Sequence, residues 1–245
     1  MTDGIGQAFM EQTQHKYLRP SDQSKRLPQP PLELAYNKAR PVIDLPAPAD
    51  LPHYPLDLRT AIENRRSARE YAPQPLSLEE LSFLLWCTQG VKEMIDTYAT
   101  LRTVPSAGAR HAFETYLLVN DVEGLSPGLY RFLALEHKLV EERQEVGLAD
   151  KLTAACLNQP YVKRSAVTFF WVAVVYRMAW RYGQRGYRYL HLDAGHVCQN
   201  LYLAAQAVEA GACAIAAFQD QDLNDLLGLD GEEQFVVYLA TVGKK

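Results

Sequence analysis

From Leu58 onward the apolar residues of the chain fall into short periodic runs; before it they do not. Leu58, Ala61 and Ile62 have helical spacing as far as Asn64, which predicts a short helix. Ser77 and Glu80 form a capping-box pair, in which each side chain satisfies the other's backbone donor. Leu81, Leu84, Leu85 and Thr88 then share one helical face, and Gly90 offers a stop. Residues 113–119 read as a strand, and the alternation over 127–132 predicts a partner for 138–142 in a hairpin. A short helix follows over 149–157. The unbroken apolar run 166–176, rich in aromatic and β-branched residues, predicts a buried strand. A long Ala- and Leu-rich helix is expected from about 187 to 209, ending at Gly211. A short strand or turn over 213–218, a helix over 222–227 before Gly228, and a last strand over 235–242 complete the pattern. Helices and a hairpin without regular βαβ alternation predict the α+β class.

The first 56 residues read differently. Nine of the 14 prolines lie before residue 56, and proline fixes φ and removes a backbone donor. This predicts an extended arm over 1–56 and a globular domain over 57–245. Leu32, Leu34, Tyr36, Val42, Ile43 and Leu45 give the arm apolar anchors. It is either a linker or a segment docked on the domain or on a partner subunit. A formal net charge of −4 over 245 residues excludes a bulk nucleic-acid binder. No apolar run reaches the roughly 20 residues of a membrane span, and Met1–Gly4 begins no signal peptide. Cys87, Cys156, Cys198 and Cys213 form no Cys-x-x-Cys pair, which fits a reducing cytoplasm.

Against the acidic balance, Arg65, Arg66 and Arg69 surround Ser67 within five residues, a dense set of anion donors. Lys244 and Lys245 close the chain after its last strand. Pro105, Ser106, Ala107 and Gly108 make a small-residue turn through which backbone N–H groups can approach a planar ligand. No Gly-x-Gly-x-x-Gly follows a strand, which argues against a Rossmann site. His191, Asp193 and His196 have poor spacing for a metal, and none is expected.

The Arg-Arg-Ser segment, the Pro-Ser-Ala-Gly turn and the basic tail, in that order, resemble the FMN-dependent nitroreductase family. The stretch Trp180–Tyr189, followed by Leu192–His196, is similar to its SagB-like branch, which oxidises azoline rings in ribosomal peptides. The resemblance implies a nitroreductase-like fold, a central mostly antiparallel sheet flanked by helices with a long central helix. It also implies a homodimer with FMN at the interface, and hydride transfer at flavin N5 with NAD(P)H or an organic molecule as donor. On that likeness Arg65, Arg66, Ser67, Arg69, Lys244 and Lys245 hold the flavin phosphate, and Pro105–Gly108 lie beside its ring. The branch's Lys-Tyr pair falls on Arg181 and Tyr182. Arginine stays protonated and cannot be a base, so weak azoline oxidation is expected, with a small-molecule or peptide substrate left open. The alternative is a non-catalytic flavin- or peptide-binding scaffold that keeps the fold.

Overall fold

A computed structural model describes residues 4–245 of the chain. The arm holds a helix, α1 (Ile5–Gln12), and a three-residue strand, β1 (Val42–Asp44). Two helices open the domain, α2 (Leu58–Asn64) and α3 (Leu78–Gln89). A small antiparallel ribbon of β2 (Val91–Ile95) and β3 (Ala99–Arg102) follows. The next strands are β4 (Phe113–Val119), β5 (Gly128–Leu133) and β6 (Lys138–Arg143). Helices α4 (Leu148–Ala155) and α5 (Tyr161–Arg164) lead into β7 (Val167–Val174). Then come α6 (Val175–Tyr182), the 22-residue α7 (Gly186–Ala207) and β8 (Ala210–Ile215). Helix α8 (Asp220–Leu227) and β9 (Gln234–Lys244) end the chain.

Seven strands form one sheet in the order β1-β6-β5-β4-β7-β9-β8, and every neighbouring pair is antiparallel. Strand β7 shows why its sequence lacks alternation. Phe169, Trp171 and Ala173 enter an apolar cluster with residues of α3 and α7. Phe170 and Val172 enter a second cluster with residues of α4 and α8. A strand covered on both faces has no polar side to display. In α3, Leu81, Leu84 and Leu85 are fully buried, each contributing about 1.5–3 kcal/mol. Both hydrogen bonds of the Ser77–Glu80 capping box are made, at 2.9 and 3.1 Å.

The observed elements depart from the sequence pattern at one informative place. The apolar run that predicts a strand to residue 176 is β7 joined to the first turn of α6. At Val174 the β7–β9 pairing ends. Arg177, two residues into the helix, then sends its guanidinium to buried Glu114 at 2.5 Å. The arm is not uniformly extended either. Between α1 and β1 it runs along the domain, and arginines hold its carbonyl groups. Arg131 donates to Leu34 O and Ala35 O at 3.1 and 3.0 Å, Arg177 donates to Pro31 O at 2.8 Å, and Trp180 Nε1 donates to Leu27 O at 3.0 Å. Among the described residues no helix is long and apolar enough to cross a membrane.

Candidate functional site

The small-residue turn ahead of β4 is held from α7. Asp193 is buried, and it accepts hydrogen bonds from Ser106 Oγ at 2.5 Å and from the Ala107 N–H at 3.2 Å. Burial pushes the Asp193 carboxyl above its ordinary value, while the bonds from Ser106 and Ala107 oppose the rise. Ser106 Oγ in turn accepts the His111 N–H at 2.9 Å. Within this brace the backbone turns left-handed at Gly108 (φ 58°), Ala109 (φ 52°) and His111 (φ 42°). Two of the three are not glycine, and each such residue costs about 1–2 kcal/mol. Strain of this kind persists where the surroundings over-determine it, and it clusters at functional sites.

Gly108 is solvent-exposed and lies directly under the end of α6. A Cβ placed on it would sit 2.4 Å from Tyr182 Oη and 3.0 Å from Arg181 Nε. The structure therefore brings Pro105–Gly108 together with Arg181 and Tyr182, residues more than 70 positions apart in the chain. The Tyr182 ring meets Tyr189 edge-on at 4.7 Å, and the Arg110 guanidinium lies over Trp180 at 5.4 Å.

The basic segment between α2 and α3 lies against the other end of the sheet. Ser67 bridges to Ala212 of β8, and the Ala68 N–H donates to Ala212 O at 2.9 Å. The approach needs a glycine, since a Cβ on Gly211 would sit 2.5 Å from Ala68 Cβ and 3.2 Å from Lys245 Cε. Ser67 Oγ shares a hydrogen bond with Tyr202 Oη of α7 at 2.9 Å, and the Arg65 guanidinium lies over the Tyr202 ring at 5.2 Å. Among the described residues, Arg65, Arg66, Arg69 and Lys245 have no carboxylate at ion-pair distance. Lys244 differs from this group. It belongs to β9, and its Nζ is bound to Glu80 at 2.5 Å and to Val208 O at 2.8 Å. Of the two terminal lysines, Lys245 carries the free charge beside the basic segment.

The two clusters do not meet within one chain. One is tied to α7 at Asp193, the other at Tyr202. Nine residues are two and a half helical turns, so the ties lie on opposite faces of α7, about 13 Å apart along its axis. Sequence reasoning weighed Asp193 only as a metal ligand and gave Arg110 no role in the site. Their signal was weak: a single carboxylate inside an Ala- and Leu-rich helix, and an arginine following a turn. The partner of each is distant in the sequence.

The model of the family described as "Nitroreductase family" matches residues 62–244. A protein of Methanocaldococcus jannaschii that bears the name nitroreductase is 35% identical over 191 residues, 78% of this chain and 92% of that one. The trifolitoxin-processing protein TfxB of Rhizobium leguminosarum bv. trifolii is 30% identical over 214 residues, 81% of this chain and 50% of TfxB. The chain thus spans about half the length of TfxB. Among solved structures, a nitroreductase-fold protein of Anabaena variabilis superposes with a TM-score of 0.71 at 29% identity, over 84% of this chain and 42% of that one. A family model covering three quarters of the chain and a relative matched over nearly its whole length agree with the sheet order and the long helix: the chain belongs to the nitroreductase family.

Proposed function

We propose that the protein is an FMN-dependent oxidoreductase whose working site is assembled from two copies of the chain. The observation that carries the reading is the uncompensated cation set around Ser67. Four basic side chains without carboxylate partners, gathered on one short segment and the adjoining tail at a sheet edge, match a phosphate monoester, which carries close to two negative charges near neutral pH. In support, a nitroreductase-fold protein of Desulfovibrio desulfuricans, 19% identical at a TM-score of 0.55 over 76% of this chain and 84% of that one, was solved in complex with FMN.

Bound there, the flavin would supply the hydride chemistry, with NAD(P)H as the electron donor. The chain's own residues bind, orient and shield. Arg65, Arg66, Arg69 and Lys245 hold the phosphate, and Ser67 Oγ, already oriented by Tyr202, adds a hydrogen bond. Asp193 fixes the Gly108 turn so that backbone and Tyr182 Oη face the reacting molecule. Tyr182 is the residue able to give or take a proton, whereas Arg181 remains protonated and acts as a fixed charge. The opposite placement of the two clusters on α7 supports a homodimer, in which the Gly108 turn of one copy faces the basic segment of the other. The exposed stripe of α7, His191, Leu192, Gly195, His196 and Gln199, is the surface available for that contact.

The similarity to TfxB favours a peptide as a second substrate class beside small nitro or quinone acceptors. Arg181 in place of a lysine predicts weak azoline oxidation. The reading is tested by releasing the chromophore from purified protein and identifying it by chromatography. FMN is expected, and anaerobic NADPH or NADH should bleach the yellow protein. Arg65→Ala should weaken FMN binding about 10- to 100-fold, the value of one charge-assisted phosphate contact. A protein that takes up no FMN on reconstitution refutes the proposal. One that binds FMN but is reduced by dithionite and not by nicotinamides or organic donors is a scaffold.

A further inference from the structure

Four arginines line the corner formed by α6 and α7, and three of them have hydrogen-bond acceptors, although Arg177 Nη1 is buried without one. Arg177 is bound to Glu114 and to Pro31 O. Arg185 donates to Tyr189 Oη and Thr13 O at 2.7 Å each. Arg188 donates to Thr13 Oγ1 and to Met10 O. The Arg181 guanidinium, by contrast, has neither a hydrogen-bond acceptor nor a carboxylate partner among the described residues; it lies 5.6 Å from the adjoining Tyr182 ring. At the same glycine, Gly108, is Arg110, 6% exposed. Arg110 donates Nε to Gly108 O at 3.2 Å and Nη2 to Tyr98 O at 3.4 Å, which leaves Nη1 unused. Burial lowers the Arg110 pKa, and the charge of Arg181 lowers it further. Tyr182 Oη, above the same glycine, also lacks a partner among the described residues.

A buried guanidinium is costly unless a counter-charge reaches it. Two like charges gathered at one exposed glycine, with a free hydroxyl over it, form a clamp whose missing member is an anion. We infer that Arg110, Arg181 and Tyr182 bind an oxyanion group on the molecule that reaches the Gly108 turn, either a carboxylate of the substrate or a phosphate of the electron donor. Guanidinium forks match both groups in a bidentate way. The inference builds on the reading of the Gly108 turn as the place where substrate arrives, and it narrows that substrate to anions. It also gives Arg181 a task that its permanent charge suits.

The test is titration calorimetry of the FMN-loaded protein with benzoate, phenyl phosphate and neutral benzamide. The anions are expected to bind more tightly than benzamide, and Arg181→Gln should erase that preference, weakening the favoured anion about 10- to 100-fold. Loss confined to benzoate assigns the clamp to a substrate carboxylate; loss confined to phenyl phosphate assigns it to a donor phosphate. In turnover, Arg181→Gln should lower the ratio of kcat/KM for 4-nitrobenzoate over 4-nitrobenzyl alcohol by a similar factor. Arg181→Glu should turn the preference toward 4-nitrobenzylamine. Arg181 is half-exposed, so its variants keep the test decisive if Arg110→Gln fails to fold. Equal binding of benzoate and benzamide, or an anion preference that survives Arg181→Gln, overturns the inference. The same titration on protein without flavin separates the two proposals: benzoate bound through Arg181 by a chain that never takes up FMN would refute the oxidoreductase reading and leave the clamp standing.

Discussion

At Gly108 backbone freedom and space both favour glycine. Ala109 and His111 hold left-handed angles beside it with side chains attached, so the turn tolerates a Cβ in that region of φ. A methyl group at Gly108 would lie 2.4 Å from Tyr182 Oη, so that side-chain end must move aside. Gly108→Ala is therefore expected to cost about 1–2 kcal/mol of stability and to displace Tyr182, lowering turnover by more than the stability loss accounts for. Tyr182→Phe in that background removes the clashing oxygen, so the two substitutions should be less than additive in a urea-denaturation cycle. Additive losses would show that Tyr182 does not occupy the space over the turn. His111, in the same loop, makes a second prediction. Burial, helped by the charge of Arg102, pushes its imidazole pKa down to about 3 from 6.5. The folded state thus excludes a proton that the unfolded chain accepts below pH 6.5. The stability tied to neutral His111 is complete above pH 6.5 and is lost as pH falls toward 3, at up to about 1.4 kcal/mol per pH unit. Denaturation at pH 6.5 and pH 5 should differ by about 2 kcal/mol from this group, and His111→Gln should flatten the difference. A profile unchanged by His111→Gln would mean that the acid sensitivity arises elsewhere.

Elements whose signals are local were legible in the sequence. The α3 start was legible because the Ser77–Glu80 box is a four-residue event. Ser77→Ala should cost about 1 kcal/mol, measurable as a shifted denaturant midpoint with an unchanged slope; no shift would mean that the box is redundant with the Lys244–Glu80 pair. The hairpin of β5 and β6 was legible from its alternation, and α7 from its composition. The β7–α6 junction was not, because an apolar run that is buried throughout has no period to mark where a strand becomes a helix. What ends β7 is the loss of its pairing partner and the pull of Glu114 on Arg177, both set by tertiary structure. The site shows the same division. Arg65–Arg69 and Pro105–Gly108 stand out as short motifs. Asp193 and Arg110 matter through Ser106 and Arg181, 87 and 71 residues away. The difference between Lys244 and Lys245 depends on Glu80, which no reading of the tail contains.

At the scale of the molecule, the arm and the domain share a buried charge cluster. Glu114 lies between Arg131 and Arg177, at 3.5 and 2.5 Å, with all three side chains 3% exposed. One carboxylate cannot saturate two guanidiniums; Glu142 accepts from Arg131 Nε at 3.1 Å, and the arm supplies further acceptors. Its carbonyls at Pro31, Leu34 and Ala35 accept from the arginines, while the Leu34 N–H donates to Glu114 at 2.9 Å. The arm thus adds backbone acceptors to the ionic core, in which Arg177 Nη1 still has no partner, and one cation of its own, Arg40, paired with Glu142. Removing residues 1–40 should leave a folded domain, because the Arg131 and Arg177 ion pairs and β1 remain, although the Arg40–Glu142 pair is lost. Water would replace the lost carbonyls, so each contact counts for less than the 1.5–3 kcal/mol of a charged hydrogen bond. A net loss of about 2–4 kcal/mol is expected, lowering the melting temperature by roughly 5–15 °C for a chain of this size. Calorimetry measures this directly. FMN affinity should hold, since the cations around Ser67 make no contact with the arm in the hydrogen bonds and ion pairs described. An unchanged melting temperature would reduce the arm to a tether. A collapse of flavin binding without loss of stability would instead make it part of the cofactor site.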